Sequence, residues 1–383
     1  MGVGIRVIMK PVIPKKPSIS LYRQYKQITD GTQYWRDNYL LEQWAGSERP
    51  VVYYAQDLNG YRLLKRLGDW CWLARNTSNN EFLTIKLLGR SENGQVKREL
   101  DINNFLRERC QSRHVCTIKD SFAIQHHMAK RHPKYRDVSF DVIAYLPTGT
   151  DLQMIHTPSV RRNSPLPLSL KRQVQCIKEV VRGVADLHSL GIVHADIHPG
   201  NVALPPPSDE DIKALLNEPP VEHQVERIDG APTPNCLPKS VIKPQDLGFG
   251  EGSCRIMDFG YSFQYIEGAI YKADNFSKGA VKAIEFETSE TTAQPFKVDS
   301  WYIGQLIYYI LTNGSNLMDR HPSNLRSHFR DRMTELENGM DEYFAKLPMD
   351  VQQDFRPIIR QLMDEDPAER LSVEDLMART ESF

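Results

Sequence analysis

Over the first 58 residues the apolar positions keep no period; Tyr and Gln recur, and no long apolar face develops, so this stretch is expected to pack on something else or to be partly disordered. From Tyr61 the pattern changes. Tyr61 to Leu67 and Trp70 to Ala74 read as short strands, and the turn-forming run Asn76-Thr77-Ser78-Asn79-Asn80 leads into a third, Glu81 to Leu88, rich in β-branched and aromatic side chains. Beyond Pro167 the spacing becomes three and four residues. Ile177, Val180, Val181, Val184 and Leu187 predict one helix, and Trp301, Ile303, Leu306, Ile307, Ile310 and Leu311 a second that stops at Asn313-Gly314. Phe355, Ile358, Ile359 and Leu362 predict a third, and a last short helix is expected from Ser372, whose hydroxyl can cap it while Asp375 reaches back.

One segment breaks this order. From Pro205 to about Gly252 the chain is rich in Pro, Asp, Glu and Gly, with a helical turn or two around Asp211 to Leu216, which marks an insertion or a functional loop. Gly248-Phe249-Gly250-Glu251-Gly252 holds glycines like those of a phosphate loop but precedes a strand, so it reads as the flexible end of the insertion. The expected fold class is α+β, a small β-sheet lobe followed by a larger, mainly α-helical lobe. The boundaries are an N-terminal extension over 1–58, the strand lobe over 59–147, and the helical lobe over 148–383 with its insertion at about 205–252.

Composition narrows the partners. At 383 residues the chain exceeds a minimal binding module, and 48 Lys+Arg against 49 Asp+Glu leave a formal charge of -1, so no bulk field draws it to nucleic acid or membrane. Six scattered cysteines without a Cys-x-x-Cys pair read as reduced thiols. Met1 to Met9 is interrupted by Arg6, which also stands where a myristoylation signal wants Ser or Thr, and the stretch from Trp301 to Leu311 is too short to span a bilayer. A cytoplasmic or nuclear monomer is the expectation, with no direct nucleic acid or membrane partner.

Two strings carry chemistry. In Gly191-Ile192-Val193-His194-Ala195-Asp196-Ile197-His198-Pro199-Gly200-Asn201, a carboxylate five residues before an amide on a helix-to-strand loop can take a hydroxyl proton and hold a metal from one turn. In Cys254-Arg255-Ile256-Met257-Asp258-Phe259-Gly260, a short strand presents a second carboxylate beside a glycine that frees the backbone. The alternation of His194, Asp196 and His198 invites a metal-site reading, but the Asp-to-Asn spacing together with Asp258 already accounts for the loop.

Together and in this order, the two strings resemble the catalytic loop and magnesium-binding segment of the eukaryotic protein kinases, a resemblance that runs from about Tyr61 to about Met377. It implies a bilobal kinase-like fold and a Ser/Thr protein kinase that uses ATP and Mg2+. Asp196 then matches the catalytic base, Asn201 and Asp258 the magnesium ligands, and Lys86 the lysine on the nucleotide phosphates. Glu99 is the first choice for the partner of Lys86, with Asp101 second; Gly68 marks the nucleotide-covering loop. Asp299 matches the buried anchor of the catalytic loop, and Glu285 and Arg370 a structural ion pair. The long insertion and Leu187-His188-Ser189-Leu190-Gly191 are similar to fungal kinases of the SR-protein-kinase type, which implies Arg/Ser-rich protein substrates.

Three departures qualify that resemblance. The loop after Leu67 has the single glycine Gly68 and is several residues short, which removes backbone amides that would cover phosphates. His198 stands where the family has a lysine beside the transferred phosphate, and an imidazole carries only part of a charge at neutral pH. Ala195 replaces the loop's arginine, so control through a phosphorylated activation segment is not expected. The alternatives are therefore a pseudokinase scaffold and, behind it, a small-molecule phosphotransferase.

Overall fold

The structure is a computed structural model that describes residues 25–27, 50, 52–68, 70–89, 95–126, 136–156, 168–227, 240–277, 282–318 and 325–380. Most of the stretch expected as an extension lies outside the described residues, as do Asp69 and the middle of the insertion.

In chain order the elements begin with strands β1 (Tyr25–Gln27), β2 (Asp57–Leu58), β3 (Tyr61–Arg66), β4 (Cys71–Asn76) and β5 (Phe82–Leu87), helix α1 (Gln95–Arg109), and strands β6 (Ile118–Gln125) and β7 (Ser139–Tyr145). Helices α2 (Leu152–His156) and α3 (Leu170–Ser189) follow, then β8 (Ile192–Val193), β9 (Val202–Ala203), α4 (Asp209–Leu216), β10 (Glu222–Arg227), β11 (Ser240–Ile242) and β12 (Arg255–Ile256). The last part holds β13 (Phe263–Gln264), β14 (Tyr271–Lys272), β15 (Thr291–Thr292), α5 (Pro295–Leu311), α6 (Leu325–Glu337), α7 (Met349–Leu362) and α8 (Val373–Thr380). The protein is mixed α+β. No helix among the described residues is long and apolar enough to cross a membrane.

The chain divides into two units. The first gathers Met1–Glu92, Asp120–Ala144 and Ala214–Gln245. Its main sheet runs in the order β2-β3-β4-β5-β7-β6, antiparallel from β2 through β5. The expected strands form because Leu63, Leu73, Leu83 and Ile85 are fully buried while the turn at Asn76 is satisfied locally, with Asn80 N–H donating to the Asn76 carbonyl at 2.9 Å. β3 slips register between Leu63 and Lys65. Beyond that slip two consecutive cations, Lys65 and Arg66, point to opposite faces and are both buried, so the sheet is covered on both sides there.

Those cations are used on the insertion. Arg66 Nη1 donates to the Ile242 carbonyl at 2.9 Å, Lys65 Nζ to the Leu215 carbonyl at 3.0 Å, and the Gln245 amide to the Arg66 carbonyl at 2.9 Å. The stretch expected as one long loop also holds strands β10 and β11, paired antiparallel, with β1 on the far side of β10. Charged Glu222 and Arg227 and the Pro-rich flanks hide the strand pattern, because these strands pair with segments far away in sequence.

The second unit gathers Asn93–Lys119, Tyr145–Lys213 and Asp246–Phe383. Its core is built on α3 and α5: Ile177, Val181, Val184 and Leu187 face inward from one, and Trp301, Ile303, Ile307 and Leu311 from the other. α5 is apolar nearly all round, as a helix covered on every side should be. It ends where the sequence stops it, with Asn313 and Gly314 both at positive φ. Ser372 caps α8, accepting the Asp375 amide at 3.1 Å and donating to its carboxylate at 2.7 Å.

The glycines at 248–252 are not a loose end. Gly248 O accepts from the Thr150 amide at 3.0 Å, and the Gly250 amide donates to the Pro205 carbonyl at 3.0 Å. A Cβ at Gly250 would stand 2.6 Å from the Pro206 carbonyl oxygen, so glycine is there for close backbone approach rather than freedom.

Candidate active site

The two candidate strings lie on short strands packed against α3. Ser169 caps that helix, and at its other end Gly191 turns the chain at φ +72, a conformation that suits glycine. β8 then pairs with β13, and after the loop β9 pairs with β12 in the register Arg255↔Ala203 and Ile256↔Val202. This zippering joins the two strings: the Met257 amide donates to the Asn201 carbonyl at 3.0 Å, which seats Asp258 beside the loop that carries Asn201.

Asp299, fully buried on α5, organises the loop. Its Oδ2 accepts the His194 amide at 2.8 Å and its Oδ1 the Ala195 amide at 2.9 Å, while His188 Nε2 lies 3.0 Å from Oδ2. Held this way, Ala195 adopts φ +63, and Asp258 adopts φ +66 on the other string. Each is an unfavourable conformation for a residue with a Cβ, costing on the order of 1–3 kcal/mol, and such strain gathers where a structure over-determines a site. Two further bonds fix Ala195 and its neighbour: Ser277 N–H donates to the Ala195 carbonyl at 3.0 Å and Ser262 Oγ to the His194 carbonyl at 3.0 Å.

His194 is completely buried, and that burial lowers its pKa and keeps the ring neutral. Its Nδ1 accepts the Asp196 amide at 3.3 Å, so the ring proton belongs on Nε2, which stands 3.3 Å from the Met257 carbonyl. The ring also lies 5.5 Å from that of the fully buried Phe259. A neutral histidine thus ties the two strings together from below. The alternative metal reading of His194, Asp196 and His198 has no support here: His194 spends both ring nitrogens on the backbone, and no group of three or more His, Cys, Asp or Glu side chains suited to a metal occurs among the described residues.

Asp196 is held from one side only. Asn201 Nδ2 donates both to its carbonyl at 2.9 Å and to its Oδ2 at 3.0 Å. Its Oδ1 is buried and has no hydrogen-bond partner among the described residues; His198 Nε2 lies 3.6 Å from it. A carboxylate oxygen kept from water without a donor is costly, and it suits an incoming hydroxyl. His198 itself accepts the Gly200 amide through Nδ1 at 3.1 Å and so shapes the turn that delivers Asn201.

Asn201 and Asp258 offer hard oxygen donors, the chemistry that Mg2+ takes while keeping water or phosphate in its remaining positions. Because Nδ2 of Asn201 is committed to Asp196, its Oδ1 is the atom left to serve, and the residues present fit such an ion. Asp258 Oδ1 also accepts the Gly260 amide at 3.2 Å.

In the first unit, Lys86 lies on β5 opposite Cys71 of β4. The hairpin between β3 and β4 closes tightly, since both the Leu67 and Gly68 amides donate to the Cys71 carbonyl, at 2.8 and 3.2 Å. The Gly68 carbonyl accepts from Arg66 Nε at 3.1 Å, so both polar backbone groups of that glycine are engaged inside the hairpin. In the second unit, Glu99 is buried on α1 and Asp101 is exposed.

Asp151 went unnoticed in the sequence. It opens α2, accepts the Met154 amide at 2.8 Å, and forms a bridge to Ala203 beside the loop. Burial pushes its carboxyl up to about 6, with Asp246 adding and the Met154 and Gln153 amides and His198 opposing. The signal available was Thr150-Asp151 ahead of an apolar Leu152, a helix start that local reading passes over in so short a helix. Comparison with protein-family models and with curated proteins finds no match for this chain.

Proposed function

We propose that the chain is a bilobal Ser/Thr protein kinase that transfers the γ-phosphate of ATP to protein hydroxyls, with Arg/Ser-rich proteins as the substrate class. The carrying observation is Asp196, whose Oδ1 is buried without a donor while Oδ2 and the main chain are pinned by Asn201 and the loop by Asp299. In this reading Oδ1 takes the proton of a serine or threonine hydroxyl as that oxygen bonds to the γ-phosphorus, and ADP leaves with the electron pair of the bridging bond. Asn201 Oδ1 and the Asp258 carboxylate would hold magnesium, which supplies charge neutralisation to the phosphates. On the resemblance, Lys86 would meet the nucleotide phosphates. The test is phosphate incorporation into an Arg/Ser-rich peptide by the native protein and by Asp196→Ala; equal signal from both overturns the proposal.

A second reading, a pseudokinase scaffold, is favoured by one observation: the Gly68 amide is spent on Cys71, so the hairpin tip offers little to a phosphate. Thermal shift with ATP and magnesium separates the two, since stabilisation without turnover supports the scaffold and robust turnover eliminates it. The Glu285–Arg370 pair, a structural feature that the protein-kinase resemblance implies, weighs against a small-molecule phosphotransferase. A clear preference for a small metabolite over any peptide would reverse that judgement.

A further inference from the structure

Cys176 and Cys254 are both fully buried, and their sulfur atoms lie 3.0 Å apart, about an ångström beyond the ~2.05 Å of a bonded pair. They join elements 78 residues apart in sequence: Cys176 is in the middle of α3, and Cys254 enters β12, four residues before Asp258. The approach is clamped from both sides. Glu179, one turn on from Cys176, accepts the Cys254 amide at 2.8 Å, and Arg172, one turn before it, donates to the Gly252 carbonyl at 2.9 Å and reaches Cys254 Sγ at 3.3 Å. Arg172 and Glu179 also pair with each other at 3.1 Å, so three residues on one face of α3 hold the second cysteine in register with the first.

We propose that Cys176 and Cys254 are an oxidation site, a reduced thiol pair that a peroxide converts to a disulfide tying α3 to the segment leading into Asp258. One sulfur attacks a peroxide oxygen, leaving a sulfenic acid and releasing water; the second sulfur displaces the hydroxyl as another water and closes the S–S bond. Two thiols and one peroxide become one disulfide and two waters, the sulfurs losing two electrons and the peroxide gaining them. The neighbouring thiol and burial push Cys254 up, so its closed thiol stays protonated at neutral pH and oxidation goes through opening of the exposed turn at Glu251 and Gly252, faster as pH rises. This inference does not depend on the proposed kinase activity.

The experiment uses the full chain, fully reduced and then exposed to hydrogen peroxide, alkylated under denaturing conditions and digested with trypsin without reductant. The expected product joins Gln173–Lys178 to Ser240–Arg255, because the Lys243-Pro244 bond resists trypsin. It should vanish on reduction, be lost in both Cys176→Ala and Cys254→Ala, raise Tm by on the order of 5 °C, and slow hydrogen exchange over residues 248–255. Cys71→Ala keeps the product and serves as a control should either buried variant fold poorly. Recovery of both cysteines as alkylated thiols, pairing of either with another cysteine, or oxidation of Cys254 to the sulfinic acid alone overturns the proposal.

Discussion

Arg370 and Glu285 meet through two parallel hydrogen bonds, Nη1 to Oε1 at 2.9 Å and Nη2 to Oε2 at 2.6 Å, across 85 positions of sequence. The guanidinium is wholly buried, donates further to the Asp364 and Lys297 carbonyls, and lies 4.9 Å from the Trp301 ring centroid. Glu285→Ala leaves that cation in the core without its carboxylate. The expected loss is about 3–5 kcal/mol in urea unfolding, and a loss under about 1 kcal/mol would mean that the carbonyls and the ring suffice without it.

Asp299→Asn tests the clamp beneath the loop. The amide keeps one acceptor oxygen, but its NH2 must then face the backbone N–H of His194 or Ala195, each of which donates to a carboxylate oxygen in the native protein. Ala195 loses part of what holds it at φ +63. We expect a cost of roughly 1–3 kcal/mol and at least tenfold faster exchange of those two amides, with α7 and α8 unchanged. Unchanged protection at 194 and 195 would show that Ser277 and Ser262 carry the loop alone.

Arg66 and Lys65 tie the insertion to the first sheet. Truncating Arg66 to Ala removes donors to the Ile242 and Gly68 carbonyls and empties a buried volume, so β11 should loosen while the sheet persists. Limited proteolysis should cut residues 240–245 at least tenfold faster in Arg66→Ala, at a stability cost of roughly 2–3 kcal/mol. Equal cleavage in both proteins would show that β10 holds β11 without Arg66.

What the sequence revealed and what it hid divide along one physical line. Elements whose stability is local were legible: α3, α5, α7 and α8 carry their apolar faces and stop signals in consecutive residues, and Ser372 and Asp375 cap as their spacing implies. In the loop from His194 to Asn201 the closeness of the carboxylate and the amide was legible from their five-residue spacing on one turn, and Asn201 does lie on Asp196. Strands β10 and β11 were not, since their partners are β1 and each other and their side chains include charges. Gly248–Gly252 misled for a related reason. A glycine needed for close approach to Pro205 and Pro206 is identical in sequence to one needed for freedom, and only the neighbour tells them apart. The contact of Cys176 with Cys254 is invisible in the same way, because no spacing rule connects the middle of a helix to a distant strand.

Asp151 makes stability depend on pH in a direction opposite to most carboxylates. Its folded value of about 6 lies above its ordinary 3.8, so between those limits the folded chain binds more protons than the unfolded one. Stability from this group is therefore present below about pH 4, falls as pH rises towards 6, and is flat above; the shift corresponds to about 3 kcal/mol at most. Asp151→Asn keeps an oxygen for the Met154 amide and removes the charge that burial and Asp246 oppose. Urea unfolding of the two proteins should agree near pH 4 and diverge progressively to pH 6.5, the Asn variant becoming the more stable. A constant difference across that range would place the charge of Asp151 in solvent rather than against α2 and Ala203, and the raised value would have to be abandoned.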